Sequence, residues 1–450
     1  MSVSAFIPVA DSAAAGDPDT GVVCSENDAM TRFDFSPTLE AAQERLAQVQ
    51  VSEYARTRNH LNGAVTGLSP WITHGFMTLP QLVSALSQRG PLSPDHKLMQ
   101  ELAWREYFHH VWHHRRQQIF TSLHEGPLPD GAYSRVLPID LRAAETGVPV
   151  IDQAVNELYS TGYLHNHARM WLASYLVHIR KVHWRVGADW MYAHLLDGDL
   201  ASNHLSWQWV AGTGSHKPYL FNAGNVARYA PPSWHSPGTV IDASYEALEA
   251  LSRSGKTPQP RGGFGMVRGR NGHLPPPDES RPVPMVEPRC WRLSAGLAQP
   301  ASPTAPHDGS CLAADALAEA LGLRIERVAP DALTDAWLVH PWCLADPPQG
   351  RRSIGVFLSA FHRRWAWSER RWRWVYQRMQ AITERIVWLD DAVPASAATQ
   401  ENPHLGNAIA HAHLHPAERL WLWPERPVSS WSQFWRAINA SPHGLAKHEA

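Results

Sequence analysis

The chain has 450 residues, a formal net charge of −2, 21 tryptophans and 26 histidines. Near-neutral charge excludes a general attraction to nucleic acid, so any DNA surface must be a local patch. Its four cysteines (Cys24, Cys290, Cys311, Cys343) stand far apart with no CxxC pair, which argues against a metal module and fits reduced thiols in a cytoplasmic protein. Neither a secretory leader nor an apolar run of about eighteen residues is read, so no membrane partner is expected.

In chain order, residues 1–30 are small, polar and aperiodic, and read as a disordered lead-in. Ser36-Pro37-Thr38 opens a helix with Leu39, Ala42, Leu46 and Val49 on one face. Val65 to Trp71 (VTGLSPW) is a turn before a helix start, where hydroxyls and backbone N–H groups suit an anion. Leu98 to Gln118 is a second helix that places Glu101, Trp104, Arg105 and Phe108 on one stripe, a cavity wall more than a solvated surface. His109, His110, His113 and His114 have metal-like spacing, but without a third ligand they read as a solvated basic helix end, and no metal is expected.

The densest stretch is Thr161 to Tyr229. Trp171, Leu172, Tyr175, Leu176 and Ile179 mark a buried amphipathic helix. Asp197, Gly198, Asp199, Asn203 and Trp207-Gln208-Trp209 follow, and two acids, an amide and two indoles are a costly set to bury without a purpose.

Residues 252–310 are a Pro/Gly/Ser-rich linker. In 311–450, short buried strands are read at 336–340, 353–359 and 385–389, and a helix capped by Ser368 runs through Trp372 and Met379. Strand, helix, strand makes a small α/β domain, with Trp365, Trp367, Trp372 and Trp374 as core packing and no motif that carries chemistry.

TGVPVIDQAVNELYSTGYLHN, HNHARM, WRVGADWMYAHLLDGDLASNHLSWQW and ELAWREYF resemble the FAD-binding domain of the DNA photolyase/cryptochrome family, from about Phe33 to Tyr229. The resemblance implies a mainly α chain: an all-helical FAD-binding domain over 31–251, the linker, and a small α/β domain over 311–450. It implies FAD held by Tyr54, Thr66, Gly67, Leu68, Ser69, Trp104, Arg105, Asn166, Arg169, Asp197, Asp199 and Asn203. Gly67 stands where many members have arginine, so a charge partner for the pyrophosphate must come from elsewhere or is missing. A flipped pyrimidine dimer in damaged DNA would face Glu101, Trp104, Asn166, Met170 and Trp209, with Glu101 protonated if burial raises its pKa. Asn203 matches the position facing the flavin, and Trp207 and Trp184 match the first two tryptophans of an electron relay. The third position falls at Gly131, with Tyr133 and Val136 nearby.

The family's usual α/β antenna domain does not precede the helical region here, so no antenna pigment is expected unless the C-terminal region stands in for that domain. The implied activity is FAD-dependent, blue-light-driven repair of cyclobutane pyrimidine dimers, a carbon–carbon lyase reaction. The alternatives are a cryptochrome-type photoreceptor signalling to a protein partner, and a flavoprotein without photochemistry. The helical region is expected to fold on a core of its own.

Overall fold

The computed structural model describes residues 33–215, 217–257, 314–390, 393–406, 409 and 411–440. The expected lead-in over 1–30 and nearly all of the linker over 252–310 lie outside the described residues.

Thr38 caps α1 (Leu39–Ala47), its hydroxyl accepting from Ala41 N at 3.1 Å. Short α2 (Val51–Thr57) and α3 (Ser69–Thr73) follow, then α4 (Leu79–Ser87), opened by a Thr78/Gln81 capping box. The stripe helix is α5 (Lys97–Arg115), which tightens into a 3-10 turn over Arg116–Phe120. Next come α6 (Ile139–Arg142) and α7 (Pro149–Thr161), the latter closed by Gly162 at φ 69°.

The helix expected through Ile179 is α8 (Asn166–Ser174), continued by a π turn over Tyr175–Ile179. Two antiparallel partners carry the dense motif, α9 (Trp184–His194) and α10 (Leu200–Ala211). Of the twelve residues of α10, only Trp209 is more than slightly exposed, so this is a central core helix. Two of its polar side chains are satisfied internally: His204 Nε2 meets Asp189 Oδ1 at 2.8 Å and Gln208 Nε2 donates to Ile119 O at 2.8 Å. The helical half ends with α11 (Ala223–Tyr229) and α12 (Tyr245–Ser252).

The second half begins with α13 (Ala314–Ala320) and forms a parallel sheet. The strands are β1 (Glu326–Arg327), β2 (Trp337–Val339), β3 (Ser353–Leu358), β4 (Arg385–Leu389), β5 (Ala398–Gln400) and β6 (His413–His415). Their order is β1-β4-β3-β2-β5-β6, with Ile354 opposite Arg385 and Leu358 opposite Leu389 in the central pair. The three expected strands are present within a residue or two; β1, β5 and β6 are too short to show a period in sequence. Helices α14 (Ser359–Arg364) and α15 (Glu369–Ile382) make the crossover from β3 to β4, and α16 (Trp431–Ala440) closes the described chain.

One apolar cluster runs from Phe35, Trp71 and Leu98 in the helical half to Trp342, Phe357, Trp374 and Phe434 in the α/β half. A second, of Leu61 and residues from Leu137 to Leu248, belongs to the helical half alone. The helical region therefore shares part of its core instead of holding all of it. Polar ties cross the same boundary: His74 bridges Leu196 O and Pro341 O, and Ser368 N donates to Ala193 O at 2.9 Å.

Candidate active site

The acidic turn Asp197-Gly198-Asp199 joins α9 to α10, and both carboxylates are fully buried. Asp197 Oδ2 accepts from Ser69 Oγ at 2.6 Å and from Arg169 Nη2 at 2.8 Å. Arg169, itself buried, spends its Nε on Leu164 O at 2.7 Å. One atom on each member of this pair, Asp197 Oδ1 and Arg169 Nη1, has no protein partner, and neither does Asn203 Oδ1 on α10, whose Nδ2 donates to Ala188 O at 2.8 Å.

Asp199 caps α10 by accepting from Ser202 N at 2.8 Å. Its Oδ2 takes His109 Nε2 at 2.9 Å, with Arg105 and His404 each at 3.9 Å. Burial opposes ionisation, but His109 and Arg105 outweigh it and hold this carboxyl well below the usual range. Gly198 is required by crowding: a Cβ there would stand 2.3 Å from Arg371 Nη1 and 2.7 Å from Tyr192 O. Arg371 Nη2 donates to Gly198 O at 2.6 Å.

Near the expected phosphate side, Thr66, Leu68, Ser69 and Tyr54 are all buried, and Tyr54 Oη has no partner. Gly67 has φ 64°, and a Cβ would press to 3.0 Å from the Phe33 ring, so a larger residue fits poorly here. A guanidinium stands beside this turn. Arg45 lies over Phe33 at 4.5 Å and donates to Thr66 O at 2.6 Å and Val65 O at 3.0 Å.

Along α5, Glu101, Arg105 and Phe108 face inward as the stripe predicts. Burial pushes the Glu101 carboxyl up to about 7 against the pull of Arg58, whose Nε stands 3.5 Å from Oε1. Trp104 is half-buried and lies flat against Trp431 of α16, with centroids 4.4 Å apart and planes 13° apart. Asn166 and Met170 are buried on α8, linked by Nδ2 to Sδ at 3.7 Å. Trp209 packs instead on Tyr219, at 5.8 Å.

The basic helix end departs from expectation. His109 is spent on Asp199, and His110 is buried beside Phe434 and accepts from Val428 N at 3.4 Å. Only the second pair, His113 and His114, retains exposure typical of a helix end. Tertiary contacts from the α/β half cover His110, which no local pattern could signal.

Trp207 is fully buried against α9, where Gly187 leaves it room: a Cβ would come within 2.3 Å of the indole. Trp184, one turn before Gly187, is buried, and its Nε1 donates to Ser122 Oγ at 3.0 Å. Gly131 sits in a 3-10 turn over Asp130–Ala132. The ring adjoining Trp184 is His183, at 5.7 Å, with Tyr133 a further 6.3 Å beyond. Val136 is 70% exposed, so it cannot extend a buried path.

Residues 98–233 match the family described as the FAD binding domain of DNA photolyase. A Synechococcus deoxyribodipyrimidine photo-lyase is 33% identical over 217 residues, covering 44% of this chain and 43% of that one. A cryptochrome DASH of Idiomarina loihiensis is 31% identical over 210 residues, covering 44% and 46%. Among solved structures, a Synechocystis cryptochrome aligns at 26% identity and TM-score 0.38, over 42% of this chain and 43% of that one. A class III photolyase of Agrobacterium tumefaciens aligns at 23% identity and TM-score 0.39, over 51% and 54%. Residues 98–233 thus belong to the DNA photolyase/cryptochrome family as its FAD-binding domain. The chain spans less than half the length of the curated relatives named here.

The residues fit a flavin. Unpartnered buried donors and acceptors on Asp197, Arg169, Asn203 and Tyr54 are costly unless a polar ligand completes them. Two surface hollows of about 40 and 400 Å³ lie on the α/β half, lined by residues such as Arg327 and Trp388, and Arg324 and Tyr376; neither touches the acidic turn. Sequence reasoning missed Arg45, His109, Arg371 and His404. Of these only His109 had a local signal, its place four residues after Arg105 on the stripe of α5. Among the described residues, no group of three or more His, Cys, Asp or Glu side chains is arranged to hold a metal ion.

Proposed function

We propose that this chain binds FAD and carries out blue-light-driven repair of cyclobutane pyrimidine dimers. The observation that carries the reading is the set of unpartnered buried atoms on Asp197, Arg169 and Asn203, one acceptor, one donor and one amide oxygen, on the acidic turn, on the arginine paired with it and on the helix that follows it. When bound there, FAD would supply the light-driven electron. Arg169, Asp197 and Asn203 would hold and orient the ring, with Asn203 Oδ1 free to accept a hydrogen bond. Tyr54, Thr66, Gly67, Leu68 and Ser69 would form the phosphate side, with Arg45 as the cation. Trp104 or Arg105 would border the pocket, and Asp199 would brace it through His109.

Glu101 has the role of proton donor. Its carboxyl, raised to about 7, holds a proton in a large share of molecules near neutral pH and can donate it to a dimer carbonyl oxygen. Asn166 and Met170 would line the same cavity, and Trp104 and Trp209 would stack on the lesion. Purified protein should show a flavin absorption spectrum and restore dimer-containing oligonucleotides under blue light. Colourless protein that takes up no FAD, or flavin-loaded protein without repair, would overturn this reading.

A photoreceptor reading is favoured by one contact. Trp431 already covers a face of Trp104, the indole expected to meet the lesion. In that case Trp104 and α16 would form part of a surface for a protein partner.

A further inference from the structure

The third position expected after Trp207 and Trp184 is Gly131 and not an indole, and what adjoins Trp184 is a hydrogen-bonded exit. Trp184 is 3% exposed. Its Nε1–H donates to Ser122 Oγ at 3.0 Å, and the Ser122 hydroxyl donates onward to Asp130, at 3.1 Å to Oδ1 and 3.3 Å to Oδ2. The Asp130 side chain is 51% exposed. Two hydrogen bonds therefore connect a buried indole to a solvated carboxylate.

The geometry is locked from both sides. Ser134 N donates to Lys181 O at 2.7 Å and His183 N to Ser134 O at 2.8 Å, which ties the turn carrying Asp130 to the start of α9. Arg185 Nη1 donates to Phe120 O at 2.8 Å, holding the segment that leads into Ser122. His183 is not free to take the proton itself. Its Nδ1 accepts from Arg185 N at 3.2 Å as the cap of α9, and its Nε2 lies 3.5 Å from Asp130 Oδ2.

We propose that Trp184 is the proton-releasing end of a shortened relay, with Ser122 and Asp130 as its outlet. This rests on the flavin reading above. When Trp184 loses one electron to an oxidant, there the light-excited flavin by way of Trp207, its indole becomes a far stronger acid. The Nε1–H bond breaks and its proton passes to Ser122 Oγ. The Ser122 hydroxyl proton passes to the Asp130 carboxylate, which releases it to water. A neutral indole radical remains, no longer able simply to recapture the electron as an intact tryptophan. Ser122 takes the proton at the reacting nitrogen; Asp130 is a positioning residue that acts through it. The groups facing Asp130 are His183, Ser122, Arg135 and Tyr133. The hydrogen bond from His183 keeps Asp130 below its ordinary value, so the outlet is open across the neutral range.

The test has two arms on the full chain. Without flavin, the indole ¹⁵N–¹H resonance of Trp184, assigned by its loss in Trp184→Phe, should shift with pH in step with the Asp130 carboxyl. That shift should vanish in Ser122→Ala and return in Ser122→Thr. With flavin, transient absorption should show that Ser122→Ala and Asp130→Asn slow deprotonation of the tryptophan radical by about tenfold, roughly 1.4 kcal/mol of barrier, again with recovery in Ser122→Thr. Unchanged radical deprotonation in both variants, or an indole resonance indifferent to Asp130, overturns the outlet. Failure to take up flavin overturns the functional reading instead, and the indole resonance still decides whether the wire exists.

Discussion

Arg371 on α15 donates through Nη2 to the carbonyl oxygen of Gly198 at 2.6 Å, fastening the α/β half to the acidic turn of the helical half. Its Nη1 also donates to Tyr192 O at 3.1 Å, and the guanidinium lies over Trp367 at 4.2 Å. Removing a buried cation that satisfies two carbonyls costs about 2–4 kcal/mol. Arg371→Ala should therefore lower the denaturation midpoint and weaken FAD retention together. Deletion of 314–440 should leave insoluble protein, because Trp71 and Leu98 lose the apolar cluster they share with Trp342 and Phe357. Soluble, flavin-loaded protein from that deletion would contradict the shared core.

Glu101 makes a signed prediction for pH. Its folded-state pKa of about 7 stands above the ordinary value of 4.5, so between these values the folded chain keeps a proton that the unfolded chain has released. Stability due to this group is present below 4.5 and is lost as pH rises through about 7. The loss approaches about 3 kcal/mol at most. Glu101→Gln stays neutral and escapes it. The variant's stability relative to wild type should climb across that window and flatten above it, measured by denaturant unfolding at a series of pH values. Repair yield in the variant should fall, since an amide cannot transfer a proton.

Gly187→Ala probes the seat of Trp207. A methyl group would come within 2.3 Å of the ring, which must shift. Overpacking of this kind costs about 1–3 kcal/mol. Trp207→Phe keeps the helix packing and removes the indole, so it should slow light-driven flavin reduction with a smaller loss of stability. Equal photoreduction in wild type and Trp207→Phe would show that electrons enter elsewhere.

Trp431 and Trp104 separate the repair and receptor readings. A stacked aromatic contributes about 1–3 kcal/mol to base binding. If a lesion must displace Trp431, Trp431→Ala should tighten binding of dimer-containing DNA while Trp104→Ala weakens it by one to two decades. Binding isotherms on lesion and undamaged oligonucleotides give both. Lesion affinity untouched by either substitution would remove Trp104 from the substrate site.

Much of the site was legible before folding because its signals are local. The α5 stripe of Glu101, Arg105 and Phe108 depends on helical spacing, and the turn carrying Asp197, Gly198 and Asp199 on its run of polar residues after an apolar helix. The strand, helix, strand order of residues 353–389 is equally local, because buried parallel strands and a capped helix each leave a period or a boundary.

What the sequence by itself determined is therefore the run of helices, the acidic turn and the α/β character of the C-terminal half. Tertiary structure alone decided the rest. Arg371 reaches Gly198 across 173 positions, Trp431 finds Trp104, and His404 comes to Asp199 from the loop after β5. The physical reason is that periodicity reports which face of an element is buried but not against what. A guanidinium satisfying a distant carbonyl, or an indole covering another indole, follows from long-range packing of a shared core, which no spacing within one element encodes.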